Sequence, residues 1–209
     1  MDNIHIPSQQ EFIKGIEEFE RNEKRDAMYR IATFLISHFW GDPSQMADGL
    51  GVLLLTWNQA FYRYGSFDFD ELEKCIRNNL KKLEEYRNRN ITSLSEEDEQ
   101  DIKEIFEEFL KSLQIVSADM KVKKSPVAVA KALHLLAPEF FPLWDERIAN
   151  VYGCSYNKNP GEKYIQFMKL MRKIVVQVRN HIDPSDYRNK TLLKLIDEYN
   201  YSKYTKMWI

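Results

Sequence analysis

One aspartate and three lysines have the types and spacing to do chemistry. Asp145 opens a short helical pattern in the run LWDERIANVYG, and Lys121, Lys123 and Lys124 precede the run SPVAVAKALHLL. A carboxylate fixed at a helix N-terminus can stabilise a positive charge that develops beside it. Lysines ahead of another helix N-terminus make a site for a phosphate, because free N–H groups and the helix dipole both favour negative charge there. A phosphate clamp next to a fixed carboxylate suits an enzyme acting on a nucleic-acid backbone or base. The plainer alternative is that Asp145 only caps its helix and the lysines are solvated.

The elements that must hold these groups are written in the same stretch, residues 123–153. Ser125 is a good N-cap, and Pro126 falls at the first helical position, where its missing N–H costs nothing. The run from Val127 to Leu136 is Ala-rich and too long for an ordinary strand, so it is predicted helical. Pro138 ends it. The bulky link EFFPLW follows, and Asp145 then caps a helix to about Tyr152 that Gly153 stops.

A second feature lies upstream. Ten aromatic residues fall between Tyr29 and Phe69. Most belong to a core by simple packing. Trp57, Asn58, Phe61 and Tyr62 stand together late in one helix, and an amide beside aromatic rings suits a flat base, by stacking and edge hydrogen bonds. The alternative for Asn58 is a structural amide satisfied within the protein.

The remaining pattern is all-helical. The 7 Gly and 7 Pro fall between periodic apolar segments, as helix punctuation does. Ser8 with Glu11 reads as a capping box. Asp26 reads as the cap of a second helix, and Asp42-Pro43 opens a third that is expected to run to Gly65 and to be the central buried helix. Asp68 or Asp70 starts a long amphipathic helix, and Ser93 or Ser95 caps an acidic one, read as a solvated face. Asn159-Pro160 starts a basic helix, Asp183-Pro184 is a turn, and a last helix runs from about Lys190 to Tyr204.

The chain has 209 residues, of which 44% are hydrophobic, enough for one large domain or two small ones sharing a core. No apolar run reaches ~20 residues, so no membrane span is expected, and the N-terminus lacks the pattern of a secretory signal. Cys75 and Cys154 are only two and far apart. This points to free thiols in a reducing, cytoplasmic compartment and excludes a four-cysteine metal or iron–sulfur site. No metal or cofactor is expected. The net charge of −2 hides an asymmetry: residues 1–115 carry 14 Lys/Arg against 23 Asp/Glu, and residues 116–209 carry 16 against 9. That split predicts one polyanion-binding face and one solvated acidic face. The expected architecture is a two-part, all-α fold, with an acidic, aromatic part over 1–120, a basic part over 121–209 and a cleft between them.

A helix, a link and an aspartate that opens the next helix resemble the helix-hairpin-helix DNA glycosylase superfamily. There the aspartate sits in a pattern like VDTHVFRV, and here Asp145 takes the matching position in LWDERIANV. The run KALHLLAPEFFPLWD is similar to divergent bacterial and archaeal members, some of which resemble anti-phage enzymes that remove modified bases. The resemblance covers about residues 117–153. It implies base flipping from double-stranded DNA and excision in repair or anti-phage defence, by a monomer. Asp145 would stabilise the sugar cation, and the strand would be held by Lys121, Lys123, Lys124 and the amides of Ser125 and Val127. Three departures are visible. The family's glycine-rich hairpin is replaced by VKKSPVAV, its iron–sulfur cysteines are absent, and the position of the lyase lysine lands on Val127. Lys131 follows one turn later and is carried as a Schiff-base lysine or a phosphate ligand, with a glycosylase lacking lyase action the favoured expectation. The competing readings are a non-catalytic all-helical DNA-binding module and a protein-interaction or toxin–antitoxin component.

Overall fold

The computed structural model describes residues 5–23, 26–116, 120–183, 187 and 190–209. Pro184 of the expected turn, and residues 117–119 at the expected boundary between the parts, lie outside them. The fold is all-α: 68% of the described residues are helical, and one short hairpin is the only sheet among them. No helix among them is long and apolar enough to cross a membrane.

The elements begin with α1 (Gln9–Asn22), α2 (Ala27–His38), α3 (Pro43–Trp57), the single turn α4 (Gln59–Tyr62), α5 (Phe69–Arg87) and α6 (Asp98–Ser112). The antiparallel hairpin β1 (Ile115–Val116) and β2 (Val122–Lys123) leads into α7 (Pro126–Leu136), α8 (Glu146–Val151), α9 (Pro160–Val178) and α10 (Leu192–Asn200). A π-helical turn, Tyr201–Thr205, continues α10.

Several starts follow local chemistry. Ser8, Asp42, Asp68, Ser125 and Asp145 each accept a backbone N–H at the head of their helix, the interaction that favours short polar residues at an N-cap. Others depart from the local pattern. The Ser8 hydroxyl caps α1, but the Glu11 carboxylate turns to Lys203 and to the Tyr199 hydroxyl. Asp26 and Asn159 occupy cap positions in the left-handed region with no cap hydrogen bond. Ser93 and Ser95 do not cap α6; Asp98 instead accepts from Ser95 N and Oγ and pairs with Arg89. The third helix stops at Trp57 rather than reaching Gly65, because Asn58 breaks from helical geometry and donates its amide to Ser125 Oγ at 3.1 Å.

Helices from both halves of the chain share one hydrophobic core, running from Phe12 to Tyr199. Helix α3 packs on α2, α5 and α7, α6 packs on α9, and α1 packs on α10. The first and last helices therefore close on each other. Gly15 lies at that crossing: a Cβ there would stand 2.6 Å from the Tyr199 ring and 3.2 Å from its Cα. The Ser202 hydroxyl also bonds the Gly15 carbonyl at 2.8 Å. In an open helix, Gly to Ala stabilises by up to about 1 kcal/mol. Here the sign should reverse: Gly15→Ala is expected to lower stability by about 1–3 kcal/mol through overpacking, read as a drop in Tm or in the denaturant midpoint. An unchanged or raised Tm would contradict the close approach of α1 and α10.

Candidate active site

Asp145 is held by a rigid support. The link between α7 and α8 is pinned by its own bulky residues. Trp144 is 2% exposed and donates from Nε1 to the Pro126 carbonyl at 3.3 Å. Tyr164 donates its hydroxyl to the Pro142 carbonyl at 2.8 Å, and Phe140 and Phe141 pack, tilted or edge-on, against Tyr86 and each other. Both oxygens of Asp145 are then engaged. Oδ1 accepts Ile148 N–H at 2.7 Å, and Oδ2 accepts the Thr205 hydroxyl at 2.8 Å. Arg147 in turn donates to the Thr205 carbonyl at 2.7 Å. The π-helical turn after α10 thus fixes the orientation of a carboxylate that begins α8. Such turns recur where a chain must depart from α geometry to aim a group.

Lys131 enters the same space from α7. Its Nζ donates to the Trp57 carbonyl at 2.8 Å and lies 4.8 Å above the Trp57 ring centre. That carbonyl ends α3, where helical carbonyls lack partners in the helix. Burial pushes the Lys131 ammonium down to about 8, against the pull of the Asp197 and Asp145 carboxylates, which favour its charge.

The floor comes from α10. Lys194 is 2% exposed, and its Nζ lies 3.2 Å from Asp26 Oδ2, 3.3 Å from Glu198 Oε1 and 3.7 Å from Asp197 Oδ2. Burial alone would lower its pKa, but Glu198, Asp197 and Asp26 outweigh it and hold the ammonium above the ordinary lysine range. Asp26 Oδ2 and Glu198 Oε1 are buried without an aligned hydrogen bond, so charge rather than hydrogen-bond geometry pairs them. Asp26 adopts φ 37°, ψ 45° there, a conformation that Asp tolerates better than most residues. Asp197 is 16% exposed, and its pKa is pushed up to about 6. Burial is the main cause, Lys194 opposes it, and the Asp145, Glu198 and Asp26 carboxylates add to it.

These groups line one cleft of about 770 Å³. Trp57, Asp26 and the end of α1 face it from the N-terminal part; Val127, Lys131, Asp145, Lys194 and Asp197 face it from the C-terminal part. Asp145, Lys131, Trp57 and Val127 of the sequence reading are thus brought together. The rest of the expected base pocket is not. The Asn58 amide is taken by Ser125, Phe61 packs edge-on against Tyr62, and the buried Tyr62 donates its hydroxyl to the Leu113 carbonyl. Trp57 is a wall rather than a free stacking face, since Lys131 covers it and Tyr29 packs against it at 64°. Lys121, Lys123 and Lys124 are exposed on and just after the hairpin, with Lys123 5.0 Å over the Tyr64 ring. The Ser125 hydroxyl accepts Ala128 N–H at 3.2 Å, which leaves the Val127 N–H at the open end of the helix. His134 is interior: Nδ1 lies 2.8 Å from the Phe141 carbonyl and Nε2 3.2 Å from the Tyr29 hydroxyl, and burial pushes it down to about 3.

Asp197, Lys194, Asp26 and Thr205 were not singled out for the site by sequence. One signal was available. In LLKLIDEY (residues 192–199), Lys194 and Asp197 interrupt apolar positions that otherwise wrap most of the helix, and charges inside such a pattern must be paired.

The sequence matches no protein-family model, and no curated protein or solved structure matches it.

The electrostatics of Lys131 are directly measurable. A ¹³Cε NMR titration of lysine-labelled protein should give one resonance with a midpoint near 8. Replacing Asp145 by Asn removes a charge that favours the ammonium, so the midpoint should move down. A midpoint at the ordinary lysine value, or an upward move in the variant, would contradict the buried pairing.

Proposed function

We propose that the protein is a DNA glycosylase that extrudes a damaged or modified nucleotide from double-stranded DNA and hydrolyses its N-glycosidic bond without lyase action, in base-excision repair or anti-phage defence. The observation that carries this reading is the meeting of Asp145, Lys131 and Trp57, from three separate segments, in one cleft beside the N-terminus of α7. Breaking an N-glycosidic bond builds positive charge on the sugar. A carboxylate aimed by two hydrogen bonds is preorganised to stabilise that charge without reorienting during the reaction. Carboxylates line the cleft where a sugar cation would form, while Lys123 and Lys124 stand outside it, where phosphates would run. This separation avoids repulsion between the strand and the acids.

Lys131 favours simple hydrolysis over lyase chemistry. The Lys131 ammonium is committed to the Trp57 carbonyl and covers the Trp57 ring, so it is not aimed at a sugar. It serves instead to hold the Trp57 wall in place. Trp57 is a wall against the base, and the Val127 amide and the hairpin lysines hold the backbone. The protein acts as a cytoplasmic monomer and needs no cofactor in this scheme.

The test is a base-release assay by mass spectrometry on duplexes with oxidised, alkylated, deaminated and phage-modified bases. The wild type should release one class of base and leave an unbroken abasic strand. Asp145→Asn should slow release by about 10²–10³-fold while DNA affinity stays within about threefold. Full activity in the variant would refute the role of Asp145. Salt-dependent binding with no release from any substrate would identify a non-catalytic DNA-binding module instead.

A further inference from the structure

We propose that Asp197 is the proton acceptor of this cleft, taking a proton from the water that attacks the sugar and passing it to the departing base, while Asp145 supplies the fixed negative charge. This rests on the glycosylase reading and adds to it a second carboxylate with a different task.

The two acids share a cleft but not an environment, and a difference of that kind separates acid–base roles. Asp145 has committed one oxygen to a backbone amide and the other to the Thr205 hydroxyl. Its direction is fixed, and neither oxygen is without a donor. Asp197 makes no side-chain hydrogen bond to any described residue. Its nearest cation, Lys194 Nζ, stands 3.7 Å away, beyond hydrogen-bond length. The carboxyl is nonetheless 16% exposed, and it lines the cleft, so it can receive a proton from a bound water.

The charged groups that act on Asp197 come from four segments. Lys194 and Glu198 lie on its own helix, Asp26 precedes α2, Asp145 heads α8, and Lys131 faces it from α7. Burial and three carboxylates outweigh the lysines, which moves its proton exchange into the physiological range. A base with a pKa close to the working pH transfers protons most effectively.

The step balances. The C1′–N bond breaks, and its electron pair leaves with the base. The water oxygen forms the new C1′–O bond, and the proton it loses goes to the Asp197 carboxylate. That proton then neutralises the departing base nitrogen. The net reaction is one water consumed, one neutral base and one abasic sugar formed, with Asp197 restored.

The closing experiment measures single-turnover base release from pH 5 to pH 8.5, on the duplex that the wild type cleaves best. The wild-type rate should fall tenfold per pH unit below an apparent pKa near 6. Asp197→Asn should lose about a hundredfold or more at pH 7.5 and lose the acidic limb, with DNA affinity and melting temperature close to wild type. Lys194 keeps Asp26 and Glu198 in that variant. A wild-type profile flat from pH 5 to 8.5 overturns the proposal without any variant. So does a folded Asp197→Asn protein within threefold of wild type with the acidic limb intact. Either result leaves the glycosylase reading standing. If the wild type releases no base from any duplex, the glycosylase reading itself fails, and the role of Asp197 falls with it.

Discussion

A lysine ammonium with almost no access to water holds this molecule's cleft together. Lys194 is 2% exposed and sits among Asp26, Asp197 and Glu198. Desolvating one such ion costs several kcal/mol, and only close opposite charges offset it. Removing Lys194 would leave Asp26 and Asp197 without their nearest cation and Glu198 with Lys190 alone, whereas losing any one acid still leaves Lys194 two partners. Its partners come from the segment before α2 and from α10, so the charges fasten the chain's last helix beside its first ones. The Phe19 and Tyr29 rings, 4.6 and 4.9 Å from Nζ, close the remaining sides.

Everything at the cleft follows from that fastening. With α10 in place, Asp197 faces Lys131 and Asp145, and the π-helical turn beyond it brings Thr205 to Asp145. On the other side, Lys131 reaches across to the last carbonyl of α3 and Asn58 reaches back to the cap of α7. These two bonds bind the aromatic part to the basic part at the edge of the cleft. The result is a cleft in which Asp145 and Lys131 are each held by a group from another element, the preorganisation that electrostatic stabilisation requires.

How much of this the sequence disclosed depended on the range of each interaction. Ser125, Pro126, Asp145 and Gly153 act within three or four residues of themselves, and the α7–link–α8 unit appears as read. Asp26 has the same local appearance, yet its carboxylate goes to Lys194, far along the chain, and no cap forms. The end of α3 departs from the local pattern for a similar reason. Nothing local forbids helix through Asn58, whereas Ser125 and Lys131 offer its amide and the preceding carbonyl partners from α7. Asn58 and Tyr62 are polar among aromatics, as a base pocket would be, but both are satisfied within the protein. The sequence marks Asp197 only as a charge that must be paired; its place in the cleft depends on neighbours from three other segments.

On the proposed reading, this cleft stabilises a cationic sugar beside Asp145. It can be tested without knowing which base is removed. Two duplexes would be compared, one with a neutral tetrahydrofuran in place of a nucleotide and one with a pyrrolidine that carries a positive charge where the sugar cation develops. An enzyme that binds its transition state best should bind the charged mimic more tightly. The pyrrolidine duplex is expected to bind at least about tenfold more tightly, roughly 1.4 kcal/mol, with the preference lost in Asp145→Asn. Equal affinity for the two duplexes in the wild type, or a preference that survives in the variant, would contradict it.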